Sequence, residues 1–235
     1  MKKLLIAALV AAISSGALAA EKINWTGPYL GGSVGYGWGE QNFKDGSFVD
    51  GGITQLSFPG SDAVTKSKPN LDSAFGGLQA GYNYRNNNTL LGLDLSIKGG
   101  SFDTNYQGTP DFDFTAKSKM NWISTGKVKA GLFIDETLIY ATGGLALGRE
   151  KISLHDNYDV YSIDTSNSKT RTGWVIGLGA EHPISNNLTA KIDYEHIDFG
   201  DENFKMQEGD TGWQQINIKA TDKFDMLSVG LNYHF

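Results

Sequence analysis

The last nine residues, Leu227-Ser228-Val229-Gly230-Leu231-Asn232-Tyr233-His234-Phe235, decide the fold. Leu227, Val229, Leu231, Tyr233 and Phe235 alternate with Ser228, Gly230, Asn232 and His234, and the chain stops on the aromatic. Strict alternation describes a strand with one apolar and one polar face. A strand of this kind at the very end of a chain suits a transmembrane β-barrel, whose last strand closes onto its first so that no sheet edge is left in lipid. Leu227, Val229, Leu231, Tyr233 and Phe235 are also the residues expected to be read by the barrel-assembly machinery as a C-terminal assembly signal.

The other end reads as a secretory signal. Lys2 and Lys3 precede an uninterrupted apolar run from Leu4 to Ile13, and Ala17-Leu18-Ala19 offers a small-x-small cleavage site. Residues 1–19 are therefore expected to be removed, leaving a single domain over residues 20–235. The apolar run is shorter than the roughly 20 residues a spanning helix needs. With no cysteine in the chain, neither a lipid anchor on cysteine nor a disulfide framework is available. Loss of Lys2 and Lys3 leaves 18 basic residues against 26 acidic, and moves the formal charge from −6 to −8. That balance argues against a nucleic-acid partner, which calls for a clustered basic face.

Working inward, eight alternating segments can be read: Tyr29 to Gly39, Ala74 to Tyr84, Thr89 to Gly99, Met120 to Phe133, Leu138 to Gly148, Thr172 to His182, Leu188 to Phe199 and the C-terminal strand. The third shows the pattern best, with Leu91, Leu93, Leu95 and Ile97 set against Gly92, Asp94, Ser96 and Lys98. The fifth is ambiguous because both faces are small or apolar, and Ile139, Ala141, Leu145 and Leu147 are assigned outward. Connections alternate in length. Arg85 to Asn88, Ile134 to Thr137 and Pro183 to Asn187 are tight turns, whereas the other gaps read as long polar loops. The expected fold is all-β: an eight-stranded antiparallel up-and-down transmembrane β-barrel with short periplasmic turns and four long extracellular loops.

On the outward face, Trp38, Tyr82, Tyr84, Trp122, Trp174 and Tyr194 fall near strand ends, where an aromatic girdle would meet the lipid headgroups. The inward face carries Asp94, Lys98, Lys127, Lys129, Glu181, Lys191, Asp193 and Glu195. Side chains largely fill a barrel of eight strands, and isolated charges there are costly. A paired network that plugs the lumen is therefore expected, with Lys127 and Lys129 facing Asp94 on the neighbouring strand and Glu181 across the lumen. Glycines at 31, 35, 37, 39, 177 and 179 would leave room for the long side chains.

Few motifs suggest chemistry. Gly35-x-Gly37-x-Gly39 lacks the following helix of a phosphate loop. The four histidines lack metal-ligand spacing, so no metal is expected. His155 with Tyr158 and Tyr161 is a candidate ligand set for haemin, against the plainer reading of a solvated polar loop. No other cofactor is implied. His182 with Ser185 is the nearest approach to a lipid-modifying catalytic set, but lies at a periplasmic turn, away from the outer leaflet, so no enzyme is expected.

Trp25-Thr-Gly-Pro-Tyr-Leu-Gly-Gly-Ser-Val-Gly-Tyr-Gly-Trp-Gly39 resembles the opening strand of the alphaproteobacterial small outer-membrane β-barrel family, which contains porin-family surface antigens and haemin-binding members. Tyr140 to Ala146, Gly173-Trp174 with Gly177 to Glu181, Lys191 to Tyr194 with Asp198 to Gly200, and Val229 to Phe235 are similar to its later strands. Two departures stand out: Lys127 and Lys129 occupy positions where arginine is commoner, and Asp193 one where glutamate is usual. The resemblance implies a Gram-negative outer-membrane barrel with a structural, surface-exposed role in envelope integrity and surface contact. Its partners would be the outer-membrane bilayer, the assembly machinery and host or environmental ligands at the loops. The alternatives are a narrow porin for small solutes and a loop-borne haemin binder, although no haemin motif of the family can be matched residue by residue here.

Overall fold

The computed structural model describes residues 23–50, 53–58, 73–107, 114–156, 164–208 and 214–235, and the expected signal segment, residues 1–19, lies outside them. The chain forms β1 (Gly27–Asp50), β2 (Ile53–Phe58), β3 (Ser73–Asn86), β4 (Thr89–Gln107), β5 (Phe114–Ile134), β6 (Thr137–Asp156), β7 (Asp164–Pro183), β8 (Leu188–Glu208) and β9 (Gln214–His234). From β3 to β9 each strand pairs antiparallel with the next, and β1 pairs with β3. β9 returns to β1 along a ladder from Tyr29↔His234 to Asp50↔Gln214. Eight strands thus make a closed wall in which each strand pairs with a neighbour on both sides, the arrangement that lipid requires. β2 is a short ninth strand that pairs with the far end of β1, at positions such as Phe48↔Leu56.

The short turns follow from residue type. Asn87 and Asp135 hold φ of 51° and 55°, the left-handed region that asparagine and aspartate tolerate better than other side-chain-bearing residues. Their strand ends match the sequence reading to within two residues. The opposite ends do not: β1 runs to Asp50, β4 to Gln107, β6 to Asp156 and β8 to Glu208, where the alternation had suggested stops at 39, 99, 148 and 199. Much of what reads as loop is strand. Above the bilayer both faces of a strand meet water, so the polarity alternation disappears while the hydrogen-bond ladder continues. A spanning strand needs only about 9–11 residues, and most strands here have 19 or more.

Burial is inverted relative to a water-soluble fold. Leu78, Leu95 and Leu145 are 66%, 65% and 65% exposed on the outer wall, whereas Lys129 and Glu181 inside are 2% and 0% exposed. The ambiguous β6 follows the same rule, with Ile139, Ala141, Leu145 and Leu147 outward and Leu138, Tyr140 and Ala146 inward. An apolar band of this kind has only lipid to meet.

Candidate functional site

Followed upward from the turns, inward side chains repeat one order on strand after strand. β4 presents Leu90, Gly92, Asp94, Ser96, Lys98, Gly100 and Phe102, and β8 presents Thr189, Lys191, Asp193, Glu195, Ile197 and Phe199. The lumen is consequently layered: an apolar floor, a charged middle and an apolar ceiling.

The floor is built from Ile23, Trp25, Leu90, Phe133, Leu138 and Tyr140. Ile23 and Trp25 precede β1, so the chain enters the barrel mouth before turning into the wall. The Trp25 ring meets Phe133 edge-on at 5.0 Å and His234 at 5.3 Å. Arg85 stacks over the other contact face of this layer, 3.8 Å from the Phe133 centroid, and its backbone N–H donates to the Thr26 hydroxyl at 3.1 Å.

The middle layer holds all eight charges read from the inward parity, and each is buried. Lys127 lies directly across from Asp94 in the β4–β5 register, 3.1 Å away, and also pairs with Glu195. Lys98 takes the second oxygen of Glu195. Lys191 and Asp193 pair at 2.8 Å on β8 itself. Lys129 reaches Glu181 at 3.6 Å and sits between two phenol rings, with centroids at 4.7 Å for Tyr29 and 4.8 Å for Tyr140. A desolvated cation–π contact contributes about 2 kcal/mol, which helps a lysine whose ammonium makes no hydrogen bond. Four cations and four anions balance, so the layer carries no net charge to be hydrated.

Neutral groups complete the network. The Tyr29 hydroxyl donates to Asp94 at 2.6 Å and the Tyr140 hydroxyl to Asp193. Glu181 Oε1 accepts from Thr189 at 2.5 Å and Asn232 at 2.8 Å, and His234 Nε2 lies 3.2 Å away. Gln79 donates to Asn232 at 2.8 Å, extending the chain across the lumen. Glycine makes the phenol seats: a β-carbon on Gly81 would lie 2.5 Å from the Tyr29 ring, and one on Gly179 2.5 Å from the Tyr140 ring. Tyr29, Tyr140, Gln79, Thr189, Asn232 and His234 were not singled out by sequence reasoning. Their inward parity was visible, but their partners lie up to 153 positions away in the chain.

The ceiling joins Phe75, Phe102, Met120, Ile123, Ala146, Val175, Ile197, Phe199, Phe224 and Met226. A bulge between Met120 and Ile123 lets both turn inward on β5, although they differ in parity. A second, at Asp198/Asp201, contains Gly200 at φ 65°. Its carbonyl accepts from Arg171 at 3.0 Å, and Arg171 pairs with Glu150 at 2.8 Å in a fully buried ion pair beyond the ceiling. No sequence signal marked this pair, because Arg171 and Glu150 fall where the alternation had already faded.

The remaining candidates are dispersed. Trp38, Tyr82, Tyr84, Trp174 and Tyr194 are exposed on the outer wall and Trp122 is half-exposed. Leu227, Val229, Leu231, Tyr233 and Phe235 lie on the outward face of β9 and its end. His155 belongs to β6, while Tyr158 and Tyr161 lie outside the described residues, as does the side chain of His155. His182 contacts Thr137 at 2.9 Å, and Ser185 belongs to the turn that leads to Leu188. Among the described residues no group of histidines and acids is arranged to hold a metal.

Comparison with known proteins agrees with this architecture. The family described as outer membrane protein beta-barrel domain matches residues 5–235. The 31 kDa outer-membrane immunogenic protein of Brucella melitensis is 31% identical over an alignment covering 100% of both chains. The 22 kDa outer membrane protein of Rhizobium leguminosarum is 25% identical, over 89% of this chain and 79% of that protein. Among solved structures, the outer membrane protein OprG from Pseudomonas aeruginosa shares the fold with a TM-score of 0.58 at 11% identity, over 91% of this chain and 99% of that one. The chain belongs to the outer membrane protein beta-barrel family, among the small outer-membrane barrels of the alphaproteobacteria.

Proposed function

We propose that this protein is a non-conducting, non-enzymatic barrel that contributes to envelope integrity and displays its long strand ends at the cell surface. One observation carries the reading: a charge-balanced polar layer is enclosed between an apolar floor and an apolar ceiling. An ion entering the lumen would have to shed its hydration at both apolar layers and then displace a partner from a buried ion pair, each step costing several kcal/mol. In this reading the eight lumen charges stabilise one wall geometry and carry nothing across it. The outward aromatics hold the barrel at headgroup depth, and the C-terminal residues from Leu227 to Phe235 guide assembly. The Brucella relative is named immunogenic, in keeping with surface display.

Planar-bilayer recording of the refolded protein tests this directly. Silence is expected from protein whose folding is shown by heat-modifiable gel mobility. Discrete, reproducible openings would establish a wet lumen and a narrow porin instead.

A further inference from the structure

The outer wall has a second feature, which nothing in the lumen explains. The outward row of β6 runs Ile139, Ala141, Gly143, Leu145, Leu147, Arg149, Lys151, all apolar or small and then abruptly basic. Arg149 and Lys151, with Asn121 and Trp122 of β5 and Ser168 of β7, line a recess of about 320 Å³. Lys119 lies opposite Lys151 in the β5–β6 register, which adds a third basic position to this stretch of wall.

Further round the wall, on β8 and β9, the outward polar groups are arranged differently. Lys223 pairs with Asp198 at 3.1 Å, and Asp225 accepts from Tyr194 at 2.6 Å and lies 2.8 Å from His196. That side satisfies its own charges. On the recess side neither Arg149 nor Lys151 has an acidic partner among the described residues, and the adjacent Glu150 points inward to Arg171. Cations at this point sit one step beyond the lipid-facing leucines, at the end away from the short turns and therefore in the outer leaflet. Trp122 supplies an apolar wall there, and Asn121 and Ser168 supply neutral hydrogen-bonding groups.

We propose that this recess binds the phosphate-bearing headgroup of an outer-leaflet glycolipid. Arg149 offers a planar fork suited to two phosphate oxygens, and Lys151 a point charge beside it. The Trp122 ring would lie against the first sugar or the top of an acyl chain. The row below, Leu147 and Leu145, continues as the acyl-chain surface, so headgroup and tail are addressed by one strand face. The ligand is identified by its chemistry: a phosphomonoester fixed at headgroup depth by attached acyl chains.

Native mass spectrometry of the delipidated full-length protein in mild detergent, titrated with bisphosphorylated lipid A, provides the test. The wild type is expected to retain the lipid, and R149Q/K151Q to retain it about tenfold less well. R149K/K151R, which keeps the charge but moves the fork, should fall between wild type and R149Q/K151Q, K223Q on β9 should behave close to wild type, and fully dephosphorylated lipid A should bind no better to wild type than to R149Q/K151Q. Heat-modifiable mobility of every variant shows that the barrel is intact. Equal retention by wild type and R149Q/K151Q would overturn the proposal. So would equal binding of the dephosphorylated lipid, or displacement by inorganic phosphate alone, which would mark a free-anion site.

Discussion

Lysines occupy two environments in this molecule, and they are treated in opposite ways. Lys98, Lys127, Lys129 and Lys191 inside the barrel are each within reach of a carboxylate, and none is more than 8% exposed. Among the described residues Lys151 and Arg149 on the outer wall have no acidic partner, and Lys223, which has one, keeps a side chain 49% exposed. A buried ammonium loses water and must recover that free energy from an anion, a ring or both. A rim ammonium keeps its water and is free to meet an external anion. The contrast teaches that pairing inside this barrel is a condition of folding, whereas the absence of pairing on its wall is available for recognition.

Glu181 offers the strongest way to break the inner half of that comparison. Its carboxylate serves Lys129, Thr189, Asn232 and His234 at once. Glu181→Leu leaves Lys129 buried without an anion, and a loss of about 3–5 kcal/mol is expected in urea unfolding of the micelle-refolded protein. Glu181→Leu with Lys129→Met removes both charges and should recover the part of that loss due to the stranded ammonium, while Thr189, Asn232 and His234 remain without their shared acceptor. A double variant as unstable as the single one would mean that the pair matters for something other than charge compensation.

Tyr29 separates the ring from the hydroxyl. Tyr29→Phe keeps a ring near the Lys129 ammonium but removes the hydrogen bond to Asp94, for an expected loss of about 1.5–3 kcal/mol. Tyr29→Leu removes the ring as well, and should cost up to about 2 kcal/mol more if the cation–π contact holds Lys129. Identical stabilities for the two variants would assign Lys129 to Glu181 and the Tyr140 ring. The same unfolding curves, read in midpoint and slope, decide between these outcomes.

How far the sequence carries this depends on which physical signal a feature leaves. Strand faces are legible because lipid demands one apolar side: Leu91, Leu93, Leu95 and Ile97 could not be read any other way. The turns at Asn87 and Asp135 are legible from residue type. Strand length is not, since the ladder beyond the bilayer leaves no alternation, and the ends of β1, β4, β6 and β8 were placed too early for that reason. Within the lumen, alternation says which residues point inward but not at what height they meet. The seats of the Tyr29 and Tyr140 rings opposite Gly81 and Gly179 depend on cross-strand register. The bulge that turns both Met120 and Ile123 inward breaks the parity on which such reading relies. Ile23 and Trp25 keep the inward parity of Tyr29, but they precede the first strand, and only their packing, Trp25 against Phe133 and His234, reveals that they form part of the floor.

The smallest expected effect is also the control that makes the comparison quantitative. Lys223 and Asp198 pair at 3.1 Å across β8 and β9, a distance close to that of Lys127 and Asp94 inside. Distance alone would rank the two pairs equally. Exposure does not: the Lys223 side chain is 49% exposed and that of Lys127 7%, so the outer pair gains little over its hydrated, separated partners. Lys223→Gln is therefore expected to change unfolding free energy by less than about 1 kcal/mol and to become silent in high salt. Lys127→Gln strands Asp94 and part of Glu195 in the lumen, and its larger loss should persist at the same salt concentration because buried charges are poorly screened. Equal losses for the two variants, or equal salt sensitivity, would mean that water reaches the Lys127 pair, and the layered lumen would have to be wet.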